Sequence, residues 1–400
     1  MPAAPRLALV AGESSGDYLG ALLLASAKKQ WPELSSFGIG GEKMQAQGFD
    51  AWWPAHKLAV FGYVEVLLRY REIIGIRRAL LQRLLADPTH RPDIFIGIDA
   101  PDFNLQLETE LKKSGVKTIH FVSPSIWAWR PERIEKIRAA ADHVLCLFPF
   151  EPALYAAAGI DATFVGHPFA AHIPMQPDRA AARAALGLAS DASVVTLMPG
   201  SRASEVKYLA PHFLQAAALV LQQAPQTQFL LPAVPALAER IRALAAGYPA
   251  LASRLQILDG QSHTALAACN SALIASGTAT LEAALFKRPH VIAYRMNPLN
   301  WLLIKRKRLQ PWVGLPNILC REFVVPEFLQ EAVQAPALAA AVLAQLQDTR
   351  AQATIAARFI ALHQELMPPS ADVLGDVLQK IYASKQNFKP SNLPEQLLNQ

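Results

Sequence analysis

Cysteine is scarce: 400 residues hold three, Cys146, Cys269 and Cys320, far apart and never as a CxxC pair. An odd, scattered set makes no disulfide framework, so a reducing compartment is expected. No uncharged apolar run of eighteen residues occurs, because candidate stretches are broken by Gln, Pro or charge. A spanning helix is not expected, and any membrane contact should be peripheral. The opening apolar run, 7–11, meets Gly12-Glu13 too soon for a signal peptide. No DxD triplet is present to hold a divalent ion on a diphosphate, HExxH is missing, and the ten histidines are scattered, so no metal role is expected. A P-loop lysine is also lacking, which disfavours nucleotide hydrolysis. Short repeats, heptads and low-complexity tracts are absent.

What is present is globular: hydrophobic residues make up 52% and charged residues 18%. Four hundred residues exceed one ordinary core, so two domains are expected. A net charge of +6 favours anionic partners such as phosphates, nucleic acid or an anionic membrane. Short apolar runs at 7–11, 94–98, 117–122 and 144–147 alternate with helical stretches. The style restarts at 194–198 and continues through 228–231, 256–258, 272–275 and 290–293. Such alternation predicts α/β architecture: two doubly wound parallel sheets facing across a cleft, with one large sheet as the alternative. Residues 166–177, with three prolines, read as connecting chain. The expected boundaries are 1–170, a linker at 171–190, 191–365, and a C-terminal helix and polar tail at 366–400 that pack back on the first domain.

In doubly wound sheets chemistry sits beyond the carboxyl ends of the strands. The first such loop is Ala11-Gly12-Glu13-Ser14-Ser15-Gly16-Asp17. It suits an anion at a helix start or a simple capped turn, and Glu13 would face the cleft. In Gly97-Ile98-Asp99-Ala100-Pro101-Asp102-Phe103-Asn104, an apolar strand delivers Asp99 to the sheet edge and Pro101 stops it. Asp99 is then a base for a substrate hydroxyl or a helix cap; Asp102 is the better cap. Arg202, in Pro199-Gly200-Ser201-Arg202, could grip a diphosphate or lie solvated. Ser276-Gly277-Thr278 opens a helix as a phosphate cradle, and Glu282, one turn in, could reach ribose hydroxyls or form an imperfect capping box.

Two stretches suit a lipid surface. Residues 58–86 carry Val64, Leu67 and Leu68 among arginines, and Trp301-Leu302-Leu303-Ile304 runs into Lys305-Arg306-Lys307-Arg308. The first could equally be a core-packed helix with a basic face. Nucleic acid is the rival for the second, but no nucleic-acid motif accompanies it, so no such partner is expected.

These segments, in this order, resemble the lipid-A-disaccharide synthase family. The likeness runs from about residue 7 to 365 and is most specific in the Asp99 stretch and in Ser123-Pro124-Ser125-Ile126-Trp127-Ala128-Trp129-Arg130. Val165-Gly166-His167-Pro168 and Leu315-Pro316-Asn317 match as well. The resemblance implies a GT-B glycosyltransferase of two Rossmann-like domains that needs no metal or other cofactor. It implies transfer of 2,3-diacylglucosamine from UDP to 2,3-diacylglucosamine 1-phosphate (lipid X), giving a β-1,6-linked disaccharide and UDP. Asp99 is then the base and Glu13 a second essential carboxylate. Arg202, Ser276, Gly277, Thr278, Glu282 and Asn317 would hold UDP. Val64, Leu67, Leu68, Trp301, Lys305, Arg306 and Arg308 would meet the anionic cytoplasmic face of the inner membrane. A homodimer is compatible with the resemblance. The alternatives are an N-acetylglucosaminyltransferase acting on a polyprenyl-linked acceptor and a non-catalytic UDP-sugar-binding scaffold.

Overall fold

The computed structural model describes residues 4–58, 63–128, 131–297, 301 and 309–387, the side chains at 56, 63–70, 386 and 387 excepted. Two compact units divide it: residues up to Pro168 together with those from Pro368 on, and Phe169–Met367.

The first unit is built on a seven-stranded sheet of β1 (Arg6–Ala11), β2 (Ser35–Gly40), β3 (Asp50–Pro54), β4 (Ile94–Ile98), β5 (Lys117–Phe121), β6 (His143–Cys146) and β7 (Asp161–Phe164). Their order is β3-β2-β1-β4-β5-β6-β7, all parallel. The period of two along β1 explains why the run is apolar throughout. Leu7, Leu9 and Ala11 pack with the helices Ser14–Gln30 and Val373–Asn387 on one face. Ala8 and Val10 pack with Ile76, Leu80, Phe103 and Leu107 on the other.

The second unit repeats the plan with β8 (Val194–Met198), β9 (Gln228–Ala233), β10 (Leu255–Asp259), β11 (Ser271–Ala275), β12 (His290–Tyr294) and β13 (Glu327–Leu329). The order is β10-β9-β8-β11-β12-β13, again all parallel. Helices Ala203–Gln223 and Ala335–Gln347 bury the largest core against it. The one-sheet alternative is excluded by these two separate sheets.

Residues 171–190 are not bare connecting chain. They include the helix Arg179–Ala185, capped by Asp178 on the Ala181 N–H at 2.9 Å. Buried Arg183 donates to the Ala268 carbonyl, as buried Arg288 does to Leu266 and Ala267, so two cations meet the carbonyl end of the helix Ser262–Ala268. At the other crossing the chain returns to the first unit. Tyr382 sets its ring 5.8 Å from Trp31, edge to face, and Lys385 pairs with Asp93 at 2.6 Å.

Candidate active site

Each sheet order reverses direction once. In the first unit the reversal falls between β1 and β4, where Ala11 lies opposite Ile98 in register. Loops leaving such neighbours diverge and open a crevice at the carboxyl edge. The Glu13 and Asp99 loops therefore start side by side. Glu13 is extended (φ −137°, ψ 165°) and begins the helix Ser14–Gln30, its exposed side chain capping nothing. Asp17 in the next turn is buried and accepts from the N–H groups of Gly41, Lys43 and Met44 at 2.8–3.1 Å. Glu13 is thus not spent on the helix cap, while Asp17 fixes the neighbouring loop. Gly12-Glu13-Ser14-Ser15-Gly16 also has GxSxG spacing, but Ser14 has no left-handed φ and, among the described residues, no base on its hydroxyl.

Asp99 and Ala100 both occupy the left-handed region, at φ 52° and 43°. Such strain in residues with a Cβ costs about 1–3 kcal/mol each and persists only where the surroundings enforce it. Here Asp99 N–H donates to the Phe121 carbonyl at 2.8 Å, and Asn104 Nδ2 donates to the carbonyls of Asp99 (2.8 Å) and Ile98 (3.3 Å). The Asp99 carboxylate is half-buried and, among the described residues, makes no hydrogen bond or ion pair. Below it, Gly97 leaves room for Glu108, whose Oε1 would lie 2.1 Å from an added Cβ. Glu108 meets His120 Nδ1 at 2.8 Å with both side chains sealed from solvent, and burial pushes the Glu108 carboxyl up. Asp102 is not the cap expected. Ala100 takes that place and Pro101 starts the helix, so Asp102 points outward and accepts from Arg133 at 3.1 Å.

In the second unit the reversal falls between β8 and β11. A cavity of about 420 Å³ opens there, lined by Arg202, Ser276, Gly277, Thr278 and Glu282, together with residues of the β9 and β10 loops. Gly200 turns at φ 115°, and a Cβ there would strike Glu205 at 2.4 Å. Glu205 accepts from the N–H groups of Ser201 and Arg202 at 3.0 and 3.2 Å and pairs with the Arg202 guanidinium at 3.1 Å, aligning it. The helix Thr278–Leu285 begins at the cavity, its first N–H groups directed toward it. Glu282 pairs with His263 Nε2 at 2.8 Å, a partner that no local spacing marks because it lies on another helix, nineteen positions away.

Asn317 is not at this cavity. It is fully buried, donating to the Val325 carbonyl (2.8 Å) and Glu327 (2.9 Å) and accepting from Val325 N–H. Glu327 also accepts from the N–H groups of Val313 and Gly314, and the Ser276 hydroxyl donates to the Val313 carbonyl, so Asn317 braces a loop that touches the cradle. Trp301 is half-buried, while Lys305, Arg306 and Arg308 lie outside the described residues. So do the side chains of Val64, Leu67 and Leu68, in the first turns of the helix Tyr63–Ala86. The later turns of that helix, at Ile76, Leu80 and Leu84, are core. No described helix is long and apolar enough to cross a membrane.

Two all-parallel units of this kind, with polar loops at both switch points, are the architecture of GT-B glycosyltransferases. The glycosyltransferase of kitacinnamycin matches with a TM-score of 0.61 at 15% identity, covering 97% of this chain and all of that one. CalG4, the calicheamicin glycosyltransferase, matches at 0.60 and 12%, covering 98% of this chain and all of that one. The UDP-GlcNAc 2-epimerase from Neisseria meningitidis bound to UDP-GlcNAc shares the fold at 0.58 and 9%, over 95% of this chain and 99% of that one. The family model described as lipid-A-disaccharide synthetase matches residues 7–373. A lipid-A-disaccharide synthase of Verminephrobacter eiseniae is 59% identical over 96% of this chain and 99% of its own length; one of Albidiferax ferrireducens is 59% identical over 94% and 97%. The chain belongs to the lipid-A-disaccharide synthase family and is a glycosyltransferase of lipid A biosynthesis.

Proposed function

We propose that the chain transfers 2,3-diacylglucosamine from UDP to the 6-hydroxyl of 2,3-diacylglucosamine 1-phosphate, with inversion and without a metal, at the anionic cytoplasmic surface of a membrane. The observation that carries this reading is the cavity that gathers Arg202, Ser276, Gly277, Thr278 and Glu282 at one helix start. That helix end and the guanidinium neutralise a departing diphosphate, and Glu282, held by His263, receives the ribose hydroxyls. Asp99 takes the acceptor proton as the acceptor oxygen bonds to the anomeric carbon. The bond from that carbon to the diphosphate oxygen breaks with its electron pair, releasing UDP. Glu13, at the adjacent strand end, stabilises positive charge developing on the sugar. Asn317 contributes by bracing the loop beside Ser276.

The substrates explain why the enzyme goes to the lipid. Moving an acyl chain into water costs about 0.8 kcal/mol per methylene, so extracting either diacylated sugar is prohibitive.

Asp99→Asn keeps the shape and removes the base. Turnover of purified enzyme, with chelator and both acylated substrates, should fall at least about a hundredfold, with UDP affinity by calorimetry unchanged. Activity above half of the parent level would remove Asp99 from the mechanism. Faster turnover of UDP-N-acetylglucosamine than of its diacylated relative would remove the donor assignment.

A further inference from the structure

The Ser123–Trp127 stretch is among the most specific in the sequence, and the chemistry above leaves it without a role. It follows β5, while Phe148 and Phe150 follow β6. These strands are consecutive neighbours of β4, so their loops leave the sheet roughly 5 and 10 Å from that of Asp99, at the same edge. Trp127 lies 6.1 Å from Phe148 and 5.5 Å from Phe150, edge to face with each, and the two phenyl rings are parallel (1°) at 6.0 Å. All three rings are half-buried and keep part of their surface in solvent.

What fixes this cluster is a carboxylate. Glu151 is 1% exposed and accepts from the Trp127 indole N–H at 3.0 Å and the Phe148 N–H at 3.1 Å, with the Leu147 N–H and the Ser123 hydroxyl near enough to lower its carboxyl against burial. Ser123 in turn meets the Tyr155 hydroxyl at 2.7 Å. Burying a carboxylate is expensive, and an apolar side chain of similar volume commonly serves stability as well or better. Its return here is geometric: it ties the β5 loop to the β6 loop and orients one indole.

We propose that Trp127, Phe148 and Phe150 are the wall on which the acceptor's pyranose ring stacks, and that Glu151 is the positioning residue that holds this wall. The face of an aromatic ring is electron-rich, so it attracts the C–H groups lining one side of a pyranose while the ring's hydroxyls stay free to be addressed. Trp127 stands close to perpendicular to both phenyls, and His167 stacks on Phe148 at 5.7 Å. The cluster therefore offers one ring face with the other rings as its rim, a size that matches a single sugar ring and not an extended acyl chain. Their place at the strand ends beside Asp99 assigns them to the acceptor. This rests on the reading of Asp99 as the acceptor's base.

The test is steady-state kinetics of the full chain, varying acceptor and donor separately, with lipid X analogues of two acyl lengths. Trp127→Ala and Phe150→Leu should raise the acceptor KM at least tenfold at both lengths, with donor KM and UDP affinity within twofold. Trp127→Phe, which keeps an aromatic ring but loses the N–H that Glu151 holds, should recover only part of that loss. Glu151→Gln places an amide N–H among donors and should mimic Trp127→Ala in acceptor KM while kcat at saturation changes less than threefold. An unchanged acceptor KM in folded Trp127→Ala and Phe150→Leu overturns the proposal. So does a rise in donor KM instead, or a fold-change that grows with acyl length. Glu151→Gln lowering kcat with acceptor KM unchanged overturns its positioning role. These KM ratios are read in enzyme with Asp99 intact, so they fail independently of Asp99→Asn, which tests the base alone.

Discussion

At the scale of single residues, the feature with most leverage is the left-handed pair Asp99-Ala100. Asn104 donates its amide to the Ile98 carbonyl before that kink and the Asp99 carbonyl within it, and each such bond contributes about 1 kcal/mol. Asn104→Ala should therefore cost roughly 1–3 kcal/mol in denaturant unfolding and lower kcat about tenfold, with UDP affinity intact; an unchanged kcat would show that the kink holds itself. Asp99 was legible in sequence because an apolar strand stopped by proline must end there. The kink was not, because nothing marks Asp or Ala for a left-handed turn, and without it Asp102 is the better cap. Glu151 was invisible for another reason: its partner Trp127 is twenty-four positions away. Burial pushes the Glu151 carboxyl up to about 7 from 4.5, more than its hydrogen bonds pull it down. Burial also pushes the neighbouring Cys146 thiol and Tyr155 phenol up, so neither ionises in that window. Between these values the folded chain holds a proton that the unfolded chain has lost. The Glu151 contribution to stability then falls as pH rises from about 4.5 to 7, by on the order of 3 kcal/mol, while the buried His167 and His290 contribute in the opposite sense. Unfolding curves of Glu151→Gln should lack that slope; an identical pH dependence would mean that Glu151 does not carry it.

At the scale of elements, what periodicity could reveal depended on burial. The strands β4 and β8 coincide with their apolar runs at 94–98 and 194–198, because central parallel strands are covered on both faces. β2, a Ser- and Gly-rich strand, and the edge strands β3, β7 and β13 escaped notice, since such strands carry few or broken apolar runs. The helix Tyr63–Ala86 shows the same limit. Its arginines read either as a lipid-facing band or as the basic face of a core-packed helix, and Arg77 and Arg83 lie over the rings of Phe103 and Trp52, at 5.9 and 3.8 Å. The helix Val373–Asn387 has a clear physical role: Leu378 is fully buried with Leu23 and Leu24 in the core of the first unit. Leu378→Ala should cost about 2–5 kcal/mol, read as a lower denaturant midpoint. A midpoint unchanged within error would show that the first unit's stability does not depend on this packing.

At the scale of the whole molecule, the net charge of +6 and the placement of its cations have a consequence for the lipid surface. Lys305-Arg306-Lys307-Arg308 follows four apolar residues from Trp301. Each cation near an anionic bilayer contributes about 1 kcal/mol, an attraction that fades within a Debye length. Replacing Arg306 and Arg308 by Glu removes two such contributions and adds repulsion. The loss is at least about 2 kcal/mol, or roughly thirtyfold in partitioning onto vesicles containing anionic lipid. The cradle at β8 and β11 is built from other residues, so UDP affinity is the internal control. Sedimentation with anionic vesicles should show that loss at low salt, and parent and variant should converge as salt rises. Equal sedimentation at low salt would mean that this basic run does not hold the chain at an anionic lipid surface.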